Sequence, residues 1–516
     1  MKETIGVALY DRFLRGLARS PRRAALRVGA RRLTYEELHQ KALVCAGSLL
    51  DGTPEPPKAV GVLMEKGVDA YVGILAALYT GAAVVPLHPG FPADRTAMMI
   101  EAAGVSALLA DDRGLAGLAG AKPDLPVLAL GSACLDSRHH IPLSPRAGLA
   151  EPRPVAGTDP AYLLFTSGST GRPKGVPIRH GSTRHYFELL DKRYDFHEED
   201  IFSQTFDLNF DCGIFDLFCA WGAGASVHPV PPHAYRDLPA FVAERAMTVW
   251  FSTPSAISLV RRTGRLAPSV MPTLRWSLFA GEALRARDAA QWQESAPRAT
   301  VENIYGPTEL TVTVTRHSWS PETSPGLCVN GLAPIGTVHE GHDHVLLGPD
   351  GEESGAEGEL CVTGPQLMTG YLDPADNRGR FLRRDGRDWY RTGDRVRRLG
   401  NGELVYLGRL DAQVQIHGWR VEPAEVEHAV RGCAGVDDAV VVARTTDEGV
   451  ELIAYHTGRF VSPVLLAGQL RDVLPDGMMP KRFEHLREFP LNSNRKIDRA
   501  ALARAAAEGD REGSGS

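Results

Sequence analysis

The stretch from Ala161 to Gly175 constrains this chain more than any other. Ala161-Tyr162-Leu163-Leu164-Phe165 is an apolar run of strand length. It enters Thr166-Ser167-Gly168-Ser169-Thr170-Gly171-Arg172-Pro173-Lys174-Gly175. Glycines let backbone N–H groups turn inward around an anion, and the hydroxyls add donors. Lys174 contributes a full positive charge. In chemistry this is a phosphate loop on the end of a buried strand. It is not a Walker A loop, which needs Gly-Lys-Ser/Thr opening a helix; here Gly175-Val176-Pro177 follows Lys174. The bland alternative is a flexible Gly/Ser linker, but linkers rarely follow an apolar strand or end in Pro-Lys-Gly.

A chain of 516 residues is too long for one core, so two or more domains are expected. A net charge of -6 argues against a nucleic-acid binder. Cys45, Cys134, Cys212, Cys219, Cys328, Cys361 and Cys433 are scattered, with no Cys-x-x-Cys pair. That suits reduced thiols in a cytoplasm and offers no zinc site. Met1 to Arg23 mixes charges through an amphipathic pattern, so no signal peptide is expected, and no apolar stretch has membrane-spanning length. A cytoplasmic location is the expectation.

Val7 to Ala18 has apolar residues at helical spacing, and Thr34-Tyr35-Glu36-Glu37 has capping-box spacing for a helix reaching about Leu50. A strand at Val60–Met64, a helix at Val68–Tyr79 and a strand near Pro86 give a βαβ rhythm, hence a sheet with covering helices. Asp112 to Pro154 is rich in Pro, Gly, Ala and Ser and reads as a loosely structured connection. His180 opens a helix. Asp207 and Asp216 read as helix-capping acids. Beyond Ala412 a small α+β domain is expected, with Glu425, Glu427 and His428 outward on a helix from Glu422 to Arg431.

The loop from Leu164 to Gly175 resembles the signature of the adenylate-forming superfamily. That superfamily holds acyl- and aryl-CoA synthetases, luciferases and the adenylation domains of nonribosomal peptide synthetases. The resemblance runs from about Leu33 to Leu502 with the motifs in family order. They are Tyr305-Gly306-Pro307-Thr308-Glu309, Tyr390-Arg391-Thr392-Gly393-Asp394, Tyr406-Leu407-Gly408-Arg409-Leu410-Asp411, and Pro490-Leu491-Asn492-Ser493-Asn494-Arg495-Lys496. It implies an α/β fold: a large N-terminal core (residues 1–410) of βαβ-type sheets, covering helices and a small β element. A small mobile α+β lid (411–506) and a disordered tail (507–516) complete it.

The resemblance also implies roles. ATP would be held by Thr166, Ser167, Gly168, Ser169, Thr170, Gly171 and Lys174, by Gly281, Glu282 and Ala283, by Asn303, Tyr305 and Gly306, and by Asp394, Tyr406 and Arg409. Tyr305 offers a ring for adenine, and Asp394 accepts from the ribose hydroxyls. Thr308 gives a phosphate a hydroxyl, and Glu309 is a hard oxygen ligand for Mg²⁺. Lys496 is the catalytic lysine, and Asp411 is the hinge.

Asp211 aligns with an aspartate that pairs with the substrate's α-ammonium. A carboxylate in an apolar pocket wall needs such a partner. Cys212, Phe215, Phe251, Leu278, Ala280, Ile304, Val312 and Thr313 complete that pocket. Apart from Asp211 and Lys496 the lining is uncharged, so acidic and basic substrates are disfavoured, and its bulk disfavours Trp, Tyr and Phe. A small or medium apolar amino acid follows, alanine first, then valine, isoleucine and 2-aminobutyrate. The implied activity is that of an ATP-dependent ligase that forms an aminoacyl-adenylate. The acyl group then passes to the phosphopantetheine thiol of a carrier protein. No carrier domain is seen after the lid, so a separate carrier is expected, much as for D-alanine–carrier protein ligases. The rival within the superfamily is an acyl- or aryl-CoA synthetase, and outside it a non-catalytic nucleotide-binding regulator. Two departures stand out. Gly213 replaces the family's usual serine after Asp211-Cys212, and Gln413-Val414-Gln415-Ile416-His417-Gly418 lacks two usual positive charges. Gly477 stands where an aromatic is common.

Overall fold

The computed structural model describes residues 6–118, 124–131, 140–168, 171–446, 449–491 and 497–508. The chain forms two compact units. One comprises Met1–Pro89, Met99–Phe165 and Gly175–Leu410; the other comprises Gly90–Met98, Thr166–Lys174 and Asp411–Ser516.

The sheets carry the site. A seven-stranded sheet runs in the order His140–Ile141, Val127–Ala129, Ala107–Ala110, Ala59–Leu63, Ala83–Leu87, Pro160–Thr166, Lys174–Arg179. Ala59–Leu63 and Ala83–Leu87 pair in parallel, and every residue of both is buried. Such unbroken apolar strands belong to a parallel sheet covered on both faces. The helix Val68–Tyr79 between them has all but one residue buried, as expected of a helix apolar all round. A nine-stranded sheet has a parallel centre: Ser226–Pro229, Ile201–Gln204, Val249–Ser252, Trp276–Phe279, Thr300–Tyr305. Thr315–Ser318 then turns back antiparallel beside Thr300–Tyr305. A five-stranded antiparallel sheet holds Asp343–Leu347, Glu357–Thr363, Arg387–Arg398, Phe381–Arg384 and Leu404–Arg409. In the second unit Val436–Thr446, Gly449–Gly458 and Arg482–His485 form a three-stranded sheet, with helices Pro423–Arg431, Pro463–Arg471 and Arg499–Glu508. This is the mixed α/β architecture expected, a large sheet-bearing part and a smaller α+β part.

Local chemistry explains where elements begin. Thr34 Oγ1 accepts from Glu37 N–H at 3.1 Å, and Glu37 Oε2 accepts from Thr34 N–H at 2.8 Å. This reciprocal cap opens the helix Tyr35–Asp51 as the spacing predicts. The first helix starts at Asp11, later than Val7, because the Asp11 carboxylate accepts from Ala8 N–H and fixes a turn there.

Three expectations are corrected. The region 112–154 is not simply a loose connection: Asp112–Gly117 is helical, and Val127–Ala129 and His140–Ile141 extend the seven-stranded sheet. Strands this short carry no periodic signal. Asp216 caps nothing, since it lies fully buried inside the helix Asp211–Ala223, and Asp207 precedes that helix, whose N-cap is Phe210. Glu425 and Glu427 are buried, not outward; only His428 is exposed. Arg95 pairs with Glu425, and Arg499 and Arg431 with Glu427. These cationic partners make buried acids tolerable at polar-looking helix positions. Among the described residues no helix is long and apolar enough to cross a membrane.

Candidate functional site

Asp211 is the first residue of the helix Asp211–Ala223, where the positive end of the helix dipole favours a carboxylate. It is buried, and burial pushes its pKa up to about 6. The Thr308 hydroxyl and the amides of Cys212 and Val312 pull the other way, and the charge of Glu309 adds to the rise. Its Oδ2 has no hydrogen-bond partner. A buried carboxylate oxygen left bare is costly, and a cationic partner would relieve it.

The residues expected to form an apolar wall around Asp211 all lie in one unit. Cys212, Phe215, Phe251, Leu278, Ala280, Ile304, Val312 and Thr313 are all buried. The Phe215 and Phe251 rings meet with centroids 4.8 Å apart, and Phe206 packs on Phe251 at 4.7 Å. Thr313 Oγ1 is 2.9 Å from the Tyr186 hydroxyl. Thr311 and Val312 have φ of 58° and 67°, a left-handed conformation that β-branched residues resist. Gln366 holds that strained turn: its amide donates to the carbonyls of Leu310, Thr311 and Thr313 at 3.0, 3.1 and 2.9 Å. The absence of a side chain at Gly213 also has a use. A Cβ there would lie 3.1 Å from the Asp207 carbonyl, so glycine admits the segment before the helix to close packing.

Three of the residues expected to hold a nucleoside, Tyr305, Asp394 and Arg409, meet in a second cluster in the same unit. Tyr305 Oη donates to Asp394 Oδ2 at 2.5 Å, and Arg409 Nη1 donates to Asp394 Oδ1 at 2.8 Å. Arg409 also reaches the Thr392 carbonyl at 3.2 Å. Asn303 Nδ2 donates to the Pro334 carbonyl at 2.7 Å, and Glu282 Oε2 accepts from Ser255 N–H at 2.9 Å. Gly281 has a positive φ beside Glu282, with Ala283 exposed. Gly306, Thr308 and Tyr406 are half-buried.

Glu309 is fully buried, and the Tyr371 hydroxyl donates to its Oε1 at 2.5 Å. Among the described residues no set of three His, Cys, Asp or Glu could enclose a metal ion. Mg²⁺ is normally bound through one or two carboxylates plus substrate phosphates. Glu309 supplies the hard oxygen such a site needs.

In the second unit Ser167 Oγ donates to the Arg420 carbonyl at 2.7 Å, and Gly168 N–H donates to Glu425 Oε2 at 3.1 Å. Thr166, Gly171 and Lys174 are half-buried, and Asp411 is exposed with its Oδ1 3.3 Å from Gln413 N–H. The space a side chain would need at Gly477 is filled by the Trp419 indole. Ser169, Thr170 and Lys496 lie outside the described residues.

Reading the sequence missed Tyr371, Gln366 and Phe206. Tyr371 sits in Gly370-Tyr371-Leu372, where nothing local marks a partner for Glu309 sixty-two residues upstream. Gln366 acts on a turn more than fifty residues upstream, a pairing that no spacing reveals.

A family model described as AMP-binding enzyme matches residues 13–372. The chain therefore belongs to the AMP-binding enzyme family, and its fold is that of an adenylation domain. Enterobactin synthase component F of Escherichia coli (strain K12) is 32% identical over 518 residues, covering 94% of this chain but 38% of that protein. Tyrocidine synthase 3 of Brevibacillus parabrevis is 32% identical over 505 residues, covering 96% of this chain and 8% of that protein. The chain thus spans well under half the length of either relative. IdnL7, known from a crystal structure, is 56% identical with a TM-score of 0.76, covering 97% of this chain and 99% of that one. The Vibrio cholerae adenylation domain AlmE, in complex with glycyl-adenosine-5'-phosphate, is 27% identical with a TM-score of 0.83, covering 98% and 99% of the two chains.

Proposed function

We propose that this chain joins a small or medium apolar amino acid to AMP and passes the aminoacyl group to a carrier protein's phosphopantetheine thiol. Alanine is the first choice; valine, isoleucine and 2-aminobutyrate follow. The observation that carries the reading is the bare Oδ2 of Asp211, buried at the start of an otherwise largely apolar helix. An α-ammonium is the partner it lacks, and a simple acyl or aryl acid has none to offer. AlmE, similar along its whole length, is named with a glycyl adenylate, which supports a small amino acid here.

In the adenylation step a substrate carboxylate oxygen attacks the α-phosphorus of ATP. The bond to the β-phosphate breaks and pyrophosphate leaves. Little covalent work falls to the protein; positioning and charge neutralisation do most of it. Asp211 fixes the ammonium and so aims the carboxylate. Asp394, with Arg409 and Tyr305, orients the ribose and adenine. Lys174 and the loop N–H groups hold the leaving phosphates, and Thr308 serves the α-phosphate. Lys496 draws the two anions together. Glu309 is the residue that would hold Mg²⁺, which neutralises phosphate charge when bound. The lid is proposed to span 411–506 and to swivel at Asp411, so that Lys496 withdraws before the thiol attacks the acyl carbon and AMP leaves.

The test is exchange of labelled pyrophosphate into ATP across a panel of acids. Exchange that depends on alanine or a near neighbour supports the reading. Preference for glutamate, lysine or tryptophan sinks the pocket assignment, and equal thioester yield with free coenzyme A sinks the carrier assignment.

A further inference from the structure

Behind the pocket wall lies a polar cluster to which the proposed chemistry gives no task. Lys66 follows the strand Ala59–Leu63, and its amine donates to the carbonyls of Thr205 and Phe206, both at 3.0 Å. It is half-buried, yet enough protein surrounds the amine for burial to lower its pKa, against the charges of Asp207 and Asp216. Asp207 stands on the segment before the helix and Asp216 inside it, so one ammonium faces both elements. Both Asp216 oxygens lack a hydrogen-bond partner. Gln204 Nε2 joins Lys66 on the Phe206 carbonyl at 2.5 Å, and Tyr71 Oη donates to Gln204 Oε1 at 3.0 Å.

The carbonyls held this way belong to the first residues past the strand Ile201–Gln204, on the way to Asp211. Thr205 Oγ1 also donates to the Phe251 carbonyl at 2.6 Å. The Phe206 ring rests on Phe251, which rests on Phe215. A displaced Phe206 would therefore move the aromatic wall of the pocket and the start of the Asp211 helix together.

We propose that Lys66 is a positioning residue for the acid substrate: its two bonds to the 205–206 backbone fix the Phe206–Phe251–Phe215 wall and the entry to Asp211. The inference rests on the proposed acid pocket. It is independent of which acid that pocket takes. In this role Lys66 acts through the backbone of Thr205 and Phe206 and not by contact with substrate or nucleotide. If it merely satisfied two carbonyls, its loss would lower stability and leave the kinetic constants alone.

The experiment compares wild type with Lys66→Met, similar in length but without donors, and Lys66→Gln, shorter but still a donor. The wild-type exchange panel comes first and identifies the acid activated, so a failure of the amino-acid reading shows there. Each variant is then assayed with that acid. Misplacing a positioning contact by about 1 Å costs about a hundredfold in rate, so Lys66→Met should lose about that much kcat/KM for the acid, mostly in KM. The KM for ATP should stay near the wild-type value. Lys66→Gln should fall between the two. If Lys66→Met does not fold, the Lys66→Gln constants decide. A folded variant in which acid and ATP constants fall together, or in which neither moves, overturns the proposal.

Discussion

Asp211 and Asp216 share one helix, and both are buried, but they face different surroundings. Asp211 stands at the start of the helix and receives a hydroxyl and two amides, so its pKa rises only to about 6. Asp216 lies inside the helix, and burial raises its pKa well above the carboxylate range against the pull of the Lys66 charge. The same helix thus carries a carboxylate kept near its charged form and another that burial pushes toward neutrality. Donors, not depth, make the difference, because hydrogen bonds to the charged form offset desolvation. A group tuned to stay ionised in an apolar wall suits cation recognition; a group left without donors suits packing and loop placement.

The largest expected effect separates these roles. Asp211→Ala should cost about 3–5 kcal/mol in transition-state binding of an amino acid, the scale for breaking a buried ion pair. Pyrophosphate exchange would then be almost lost, with the fold intact. Asp216→Ala should instead lower stability, by about 1–3 kcal/mol as core substitutions commonly do. Steady-state exchange and thermal melting of both variants check this. Full activity in Asp211→Ala would refute the amino-acid reading.

A second test uses pH. Only the ionised carboxylate can pair with an ammonium, so kcat/KM for the amino acid should be flat above pH 6 and fall about tenfold per unit below it. The effect on stability has the opposite sense. A carboxyl whose pKa is raised on folding binds its proton more tightly in the native state. The stability it contributes is present at low pH and is lost as pH rises from the ordinary range through about 6. Asp211→Asn, which removes the charge, should therefore melt higher than wild type at pH 8 without substrate. The gain should approach about 3 kcal/mol for a shift near two units. Added amino acid should close the gap by stabilising wild type alone. Melting curves at pH 4 and pH 8, with and without substrate, read it directly.

A smaller effect belongs to the Tyr371–Glu309 bond. Tyr371→Phe removes a hydrogen bond to a buried carboxylate, worth about 1.5–3 kcal/mol. Exchange should then need more Mg²⁺ for half-maximal rate, while the KM for amino acid stays put. An unchanged Mg²⁺ dependence would mean that Tyr371 does not orient Glu309.

The two aspartates also show what a sequence can tell. The capping box at Thr34–Glu37 and the helix Val68–Tyr79 were legible because local chemistry and period decide them. The family was legible in the loop from Leu164 to Gly175 and in the Tyr305–Glu309 motif, because the composition there suits few other uses. Asp216 was misread, since a carboxylate in a helix is usually a cap or a solvated face, and only the fold shows its burial. Glu425 and Glu427 fail for the same reason: their partners Arg95 and Arg499 are distant in sequence. Phe206, Gln366 and Lys66 act through backbone groups, and a bond to a carbonyl leaves no mark on residue type.

The finest test concerns Cys212, proposed as the pocket floor beside Asp211. Cys212 is buried, its thiol pKa raised by burial and by the charges of Asp211 and Asp216. Such a thiol is not a nucleophile, so its contribution is volume. Cys212→Gly should open room beneath the side chain of the bound acid and shift preference from alanine toward valine, isoleucine or longer chains. Each methylene accommodated is worth about 1–3 kcal/mol of discrimination, so the ratio of kcat/KM values should move about tenfold or more. Glycine in the first helical turn costs up to about 1 kcal/mol of stability relative to alanine. Cys212→Ala serves as the control, since it opens less space without that backbone penalty. The same exchange panel on all three proteins gives the answer. If Cys212→Gly lowers every rate equally, the helix start has loosened and Cys212 does not shape specificity. If the order of substrates inverts while the Asp211→Ala variant stays inactive toward all of them, ammonium pairing and side-chain sizing are separate functions of adjacent residues.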